Sequence, residues 1–456
     1  MADLVDEARL RRITVAVALG LFAVNLDFFA VQTALPQMAR DLGTTPTRLQ
    51  WVISGYLLSL ASAFVVSGRL ADVFGRRRFL LVGAVVFGAT SLVGGAASVA
   101  WLVIVMRIVQ GVGAALLFPV GLAVVTNANP PDRVQRAVAT AFGIAAVGQA
   151  FGPLLGGVIT GVLSWRWVLW LNVPVTVTVV VLVLRDVTES RDPTASRRID
   201  WLGLCLIVVS VGLFVYGIDG TATWGWLSVP TALFVGAGLV GFVAVVVVER
   251  RVAEPLLDLA LFRIRAFSLV VVTGAAGNAA ALATIFLATT LLQNVRGLSP
   301  TEAGLAFLAF SVPYAAGNQL TSRLVRFGPS TVMAAALAGA GAGTALMGLT
   351  DVGGVFYVVA ALSGFGLGVA WAYANAVGQA VVPPAEAGVA SGVMLTVLVG
   401  LGGVAVAVAS SVIEPRATST SSFEAAIGAA LVGFGLVTLA VGALTALFGR
   451  RLAASP

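Results

Sequence analysis

Apolar residues run in blocks of about twenty, separated by short polar or Gly/Pro-containing breaks. A block of about twenty is what an α-helix needs to cross the hydrocarbon layer. The blocks do not alternate polar and apolar, as the roughly ten-residue strands of a membrane barrel do. They predict fourteen helical spans, near residues 13–34, 50–70, 79–98, 101–126, 135–162, 167–184, 201–219, 229–248, 266–293, 302–322, 331–350, 354–380, 387–412 and 425–448. Ahead of the first block, Asp3, Asp6 and Glu7 mix with Arg9, Arg11 and Arg12, and no small-residue cleavage site follows. That reads as an uncleaved first span rather than a secretory leader.

Composition agrees. The chain is 59% hydrophobic and 10% charged, against about a quarter charged in soluble domains. Its net charge is +7 and all 27 basic residues are arginine. Because these arginines sit in short connectors, they speak for membrane topology and against nucleic-acid binding. With the N-terminus in the cytoplasm, 21 of the 27 fall in cytoplasmic segments and 5 outside, and Arg107 lies within a span. The bias predicts a multi-pass membrane protein with both termini in the cytoplasm. The single cysteine, Cys205, lies in an apolar block, and histidine is absent. Neither a disulfide framework nor a metal site is expected, and no cofactor. With no nucleotide loop and no soluble domain, an enzyme is not expected either.

The chain repeats itself. Arg69-Leu-Ala-Asp-Val-Phe-Gly75 returns in weaker form at 323–328, Gly111-x-Gly113 returns at Gly364 and Gly366, and Pro130-Pro131 returns at Pro383-Pro384. All three recur at offsets of 253 or 254 residues. Two halves therefore run parallel along the chain, a plan that transporters use. The offset leaves room for two spans without counterpart, which gives three units: a six-helix bundle over 1–190, a two-helix insert over 191–262 and a six-helix bundle over 263–456. The connector at 249–265 reads either as a short amphipathic helix on the membrane surface or as an ordinary loop.

Four segments carry motifs. Gly68-Arg-Leu-Ala-Asp72-Val-Phe-Gly75-Arg76-Arg77-Arg78 forms a tight turn in which glycines allow close backbone approach and one acid sits among arginines. Positive-inside topology alone accounts for the arginines but not for Asp72 or the glycines. Arg107-Ile-Val-Gln110-Gly111-Val-Gly113 follows in the fourth span. In the fifth, Gly148, Gly152 and Gly156 share one helix face, Pro153 permits a kink, and Gly157 completes the run. The first span contains Asn25-Leu-Asp27-Phe-Phe-Ala-Val-Gln32-Thr-Ala-Leu-Pro36. Together these resemble the major facilitator superfamily, and in particular its fourteen-helix drug:proton antiporter branch. Trp165 to Pro174 and Asp200 to Gly203 also look like that branch. The first-span element departs from the branch pattern at Phe28 to Gln32.

The resemblance implies a major facilitator fold with two additional central helices, and proton-coupled export of small amphipathic or cationic compounds across the bacterial cytoplasmic membrane. The expected partners are a small-molecule substrate, protons and the bilayer, and the expected working unit is a monomer. The Gly68–Arg77 loop would gate access from the cytoplasm, and the glycine-rich fifth helix speaks for export over uptake. An ionisable residue at membrane depth is costly, so it is functional by default. Asp27 reads as the proton carrier and Arg107 as the residue that tunes it, with a structural salt bridge as the other reading. Candidate substrate contacts are Phe28, Gln32, Asn278, Asn318, Trp371 and Asn375, with Gln293, Tyr314 and Tyr373 beside them. Interhelical bonding is the other reading for most of these. Glu302 reads as a helix N-terminal acid, and Asp219, Asp351, Glu414 and Glu424 read as solvated loop charges. A dedicated exporter of one metabolite or self-made antibiotic, and a nutrient symporter, are the competing readings.

Overall fold

A computed structural model describes residues 2–45, 48–191, 200–252, 256, 259–324, 327–382, 387–413 and 419–453. Among them there is no strand. The first half comprises α1 (Ala2–Asp41), α2 (Trp51–Phe74), α3 (Arg76–Ala96), α4 (Ala100–Ala128), α5 (Pro131–Val162), α6 (Trp165–Trp170) and α7 (Asn172–Asp186). Next come α8 (Trp201–Trp224) and α9 (Val229–Glu249). The second half comprises α10 (Arg265–Thr290), α11 (Pro300–Leu324), α12 (Pro329–Met347), α13 (Gly354–Ala380), α14 (Ala387–Ile413) and α15 (Thr420–Ala453). Valine-rich blocks are helical here because hydrocarbon offers no partner to an exposed backbone group, and a helix satisfies its own.

Each of the fourteen expected spans has its helix, with α6 and α7 forming one span interrupted at Leu171. Twelve of the described helices are long and apolar enough to cross a membrane, and α2, bent by 49° between Phe64 and Val66, makes a thirteenth. The remaining one, α11, has 25 residues and packs against α5 and α13. Glu302, Asn318, Gln319 and Arg323 lower its hydropathy. α1 overruns its expected limits at both ends, because the charged residues before 13 continue the helix and Pro36 sits inside it without ending it. The connector at 249–265 contains a short 3-10 turn, Leu259–Arg263. Pro383-Pro384, Glu414 and residues 192–199 of the 185–200 connector lie outside the described residues.

The helices pack in the same pattern twice. In the first half α1 lies on α5, α2 and α3 lie on α4, and α7 touches α1 and α3. In the second, α10 lies on α14, α11 and α12 lie on α13, and α15 touches α10 and α12. The repeated glycines show why. A Cβ on Gly111 would meet Tyr56 O of α2 at 2.4 Å, and one on Gly113 would meet Phe87 N of α3 at 2.8 Å. A Cβ on Gly364 would meet Phe310 O of α11 at 2.2 Å, and one on Gly366 would meet Ala336 O of α12 at 2.5 Å. Each Gly-x-Gly thus lets one helix approach two neighbours at once.

The halves meet along two seams, α5 on α11 and α2 on α14. The α8–α9 pair lies over the second seam, where Val215 and Ile218 pack between Leu58 of α2 and Ala407 of α14. Asp219, expected as a solvated loop charge, instead lies within α8. It accepts hydrogen bonds from Gln50 Nε2 (2.7 Å) and Trp51 Nε1 (2.9 Å), so it fastens α8 to the start of α2.

Candidate functional site

Asp27 on α1 and Arg107 on α4 are both 1% exposed and form an ion pair inside the first half. Three other helices complete its shell. Asn172 Nδ2, at the start of α7, donates to Asp27 Oδ1 at 2.6 Å, and Gln110 Nε2 reaches the same oxygen at 3.3 Å. Gln110 also accepts from Arg107 Nη1 (2.8 Å) and donates to Ser91 Oγ of α3 (2.7 Å). Arg107 Nε donates to Val52 O of α2 at 3.0 Å. Buried charges persist only when paired and hydrogen-bonded, and this pair is both. Gln110 and Asn172 stand in the sequence motifs, but their role emerges only when four helices converge. Ser91 and Tyr56 are ordinary residues for apolar helices and gave no signal.

Position 253 residues further on, the second half builds the same scaffold without charge. Asp27 corresponds to Ala280 and Arg107 to Ala360. The Ser91–Gln110 contact corresponds to Thr344–Ser363, whose hydroxyls lie 2.7 Å apart. Among the described residues, this buried ion pair therefore has no charged counterpart at the equivalent positions of the second half.

A narrow cavity of about 90 Å3 lies between the halves, tighter than most small-molecule sites. Phe28, Phe64, Phe118 and Trp371 give it aromatic faces; Asn25, Gln149, Asn278 and Tyr314 give it neutral polar groups. None of its lining residues is charged. The cavity touches the ion pair through a stack. The Phe28 ring lies 6.2 Å from Tyr56, nearly parallel, and the Arg107 guanidinium sits 4.2 Å over the other partner's ring, that of Tyr56. Among the expected contacts, Phe28, Asn278, Trp371 and Tyr314 line this cavity. Gln32, Asn318 and Asn375 are not in its wall. The amides of Gln32 and Asn375 bond one turn back, to Phe28 O and Trp371 O. Gln293 and Tyr373 bind backbone, at Thr33 O and Phe327 O.

The glycine-rich helix α5 serves two partners. A Cβ on Gly148 would lie 2.7 Å from Phe22 O, on Gly152 2.7 Å from Phe29 Cβ, and on Gly156 2.4 Å from Ala30 O, all on α1. One on Gly157 would lie 2.2 Å from Pro300 O of α11, and one on Gly304 would lie 2.8 Å from Pro153 O. The α5–α11 seam also carries Ser311 Oγ donating to Ala150 O at 2.7 Å, and Gln293 Nε2 donates across the halves to Thr33 O at 2.7 Å. These contacts run from mid-depth to the end away from the chain termini. Glu302 forms a capping box with Ser299: its carboxylate accepts from Ser299 N and Oγ, each at 2.8 Å.

At the opposite end, Gly68 borders open space and Gly75 turns the chain with φ 123°. Arg76 Nε donates to Asp72 Oδ1 at 2.7 Å. Arg77 Nη2 donates to Leu184 O at 2.8 Å. Glu189, missed in the sequence, accepts from the backbone N–H of Arg77 (3.0 Å) and Arg78 (3.3 Å). A carboxylate at the start of α3 suits the helix dipole there. It ties the turn to the segment after α7.

Known proteins place this architecture. The multidrug resistance protein Stp of Mycobacterium tuberculosis is 34% identical over 83% of this chain and 71% of its own length. The cephamycin export protein CmcT of Amycolatopsis lactamdurans is 35% identical over 93% and 89%. The lincomycin resistance protein of Streptomyces lincolnensis is 34% identical over 99% and 95%. Among solved structures, an auto-inhibited peptide transporter of the POT family superposes with TM-score 0.67 at 16% identity, over 96% of this chain and 97% of that one. The nucleoside transporter NupG gives 0.65 at 13% identity, over 95% and 99%; both share the fold. With the Major Facilitator Superfamily model matching residues 17–407 as well, the chain belongs to the major facilitator superfamily.

Proposed function

We propose that the chain is a proton-coupled antiporter of the fourteen-helix drug-efflux branch, exporting small amphipathic or cationic compounds by alternating access. The carrying observation is the stack that runs from the cavity through Phe28 and Tyr56 to Arg107 and Asp27. Protonation of Asp27 removes the charge that holds Arg107, and the guanidinium then releases its place over Tyr56. The ring that faces the cavity follows. A compound pressing on Phe28 acts on the same stack from the other side, so binding and protonation are coupled. Arg107 cannot itself release a proton; it positions and tunes. One proton charge moved through 100 mV supplies about 2.3 kcal/mol, enough for roughly a fifty-fold gradient.

The arginine bias supports placing both termini in the cytoplasm. The α5–α11 contacts then close the outer end, and the conformation is inward-facing. In this reading the Gly68–Arg77 loop gates: Asp72 exchanges Arg76 for partners across the halves when the inner end closes. Residues 1–190 and 263–456 rock as two bundles, 191–262 rides on the α2–α14 seam, and one chain suffices.

The test compares the intact protein with Asp27→Asn in vesicles carrying an internal pH dye. The intact protein releases protons inward when a substrate dye moves outward, and the variant binds the dye but moves neither. Proton-linked transport by the variant removes Asp27 from the mechanism. A second reading, a dedicated exporter of one antibiotic, is favoured by relatives named for a single compound, such as cephamycin and lincomycin. It predicts that one compound alone out of a broad panel is moved.

A further inference from the structure

One pair of repeat-equivalent positions in the cavity wall carries the same residue. Asn278 stands 253 residues after Asn25, the offset of the repeat, so the two occupy equivalent places on α1 and α10. Both line the cavity, one from each half. Their neighbours are not matched: Phe28 corresponds to Ala281 and Tyr56 to Ala309. Each asparagine donates to a backbone carbonyl, Asn25 within α1 and Asn278 across to α14. Asn25 Nδ2 donates to Leu21 O at 2.9 Å, and Asn278 Nδ2 donates to Leu398 O of α14 at 2.8 Å. A backbone carbonyl only accepts, so one N–H of each amide is committed to it. What each side chain keeps for a guest's donor is its carbonyl oxygen, Oδ1.

We propose that Asn25 and Asn278 form a two-point acceptor site that selects cargo by its N–H or O–H donors, one contact from each half. The inference rests on the cavity being the transport site. It deepens that reading by naming a chemical class: flat apolar compounds with amine or hydroxyl donors at separated positions. Because no lining residue is charged, a cation here meets aromatic faces and two carbonyl dipoles rather than a carboxylate. Affinity therefore follows the number of donors more than the net charge. A guest held at both oxygens also bridges α1 and α10, the helices that occupy the same place in their respective halves.

The experiment uses two cationic aromatic probes, ethidium, which carries two aryl amines, and tetraphenylphosphonium, which carries no donor. Binding to the full chain in nanodiscs is measured for the intact protein, Asn25→Leu, Asn278→Leu and Trp371→Ala. Each leucine variant is expected to weaken ethidium roughly five- to tenfold and to leave tetraphenylphosphonium within about twofold. Trp371→Ala is expected to weaken both. If Asn278→Leu does not fold, Asn278→Ser, which keeps a short backbone-directed donor and withdraws the carbonyl, takes its place. Equal weakening of both probes by the asparagine variants, or unchanged ethidium binding, overturns the acceptor pair while leaving the cavity in place. Binding of neither probe to the intact protein, or indifference of both to Trp371→Ala, overturns the cavity reading and the pair with it.

Discussion

Asp27 and Arg107 depend on each other more than either depends on its neighbours. Removing one partner of a buried pair leaves the other charge without compensation, at about 3–5 kcal/mol. Arg107→Gln is therefore expected to lower the thermal unfolding midpoint sharply. Adding Asp27→Asn should restore most of the loss, because the second change removes the orphaned charge. A double variant no more stable than Arg107→Gln would show that the pair is not the source of the cost. At this scale the sequence was legible where chemistry is rare. A carboxylate and a guanidinium inside apolar blocks announce themselves. Ser91 and Tyr56 do not, since hydroxyls and aromatics are common in such blocks, and Glu189 hides in a connector where acids are ordinary. Gln32 and Asn375 lie outside the cavity wall, and the NH2 group of each bonds one turn back along its own helix.

Helices differ in what their glycines hold. Gly156 faces α1 within its own half, and Gly157 faces α11 in the other. Gly156→Val is expected to lower the unfolding midpoint, because α1 and α5 stay together in every state. Gly157→Val is expected to leave that midpoint nearly unchanged and to widen the α5–α11 separation read by paired spin labels, because only the closed outer end needs that contact. The reverse assignment of the two effects would refute the division. At the start of α3, Glu189→Ala withdraws an acceptor from two N–H groups, a loss of about 0.5–2 kcal/mol. Faster amide exchange at Arg77 and Arg78, with the remainder of α3 unaffected, is the expected readout. The helices themselves were legible as apolar length, and the repeat as matching glycines. The break at Leu171 was less so, because only Asn172 and Pro174 mark it within an otherwise mostly apolar block. The seam of α11 against α5 appears only in the packing.

For the whole molecule, alternating access requires that the outer contacts open in each cycle. Gln293 and Thr33 meet across the halves at that end. Cysteines at these two positions, with Cys205→Ser to remove the native thiol, should accept a short cleavable bis-thiol linker. Transport should stop when the linker is attached and return when it is cleaved. Transport that continues through an attached linker would rule out opening at this seam. The one-sided placement of charge has a further consequence. Position for position, Ala280, Thr344, Ala360 and Ser363 keep the scaffold that Asp27, Ser91, Arg107 and Gln110 occupy in the other half. On the proposed mechanism the coupling machinery therefore sits in α1, α2, α3, α4 and α7, and the wall supplied by α10, α11, α13 and α14 is free of it. Substitutions in that wall can change what is carried without disturbing what drives the carrying. In the proposed exporter, cargo can change by substitution in one half while the proton-coupling half stays fixed.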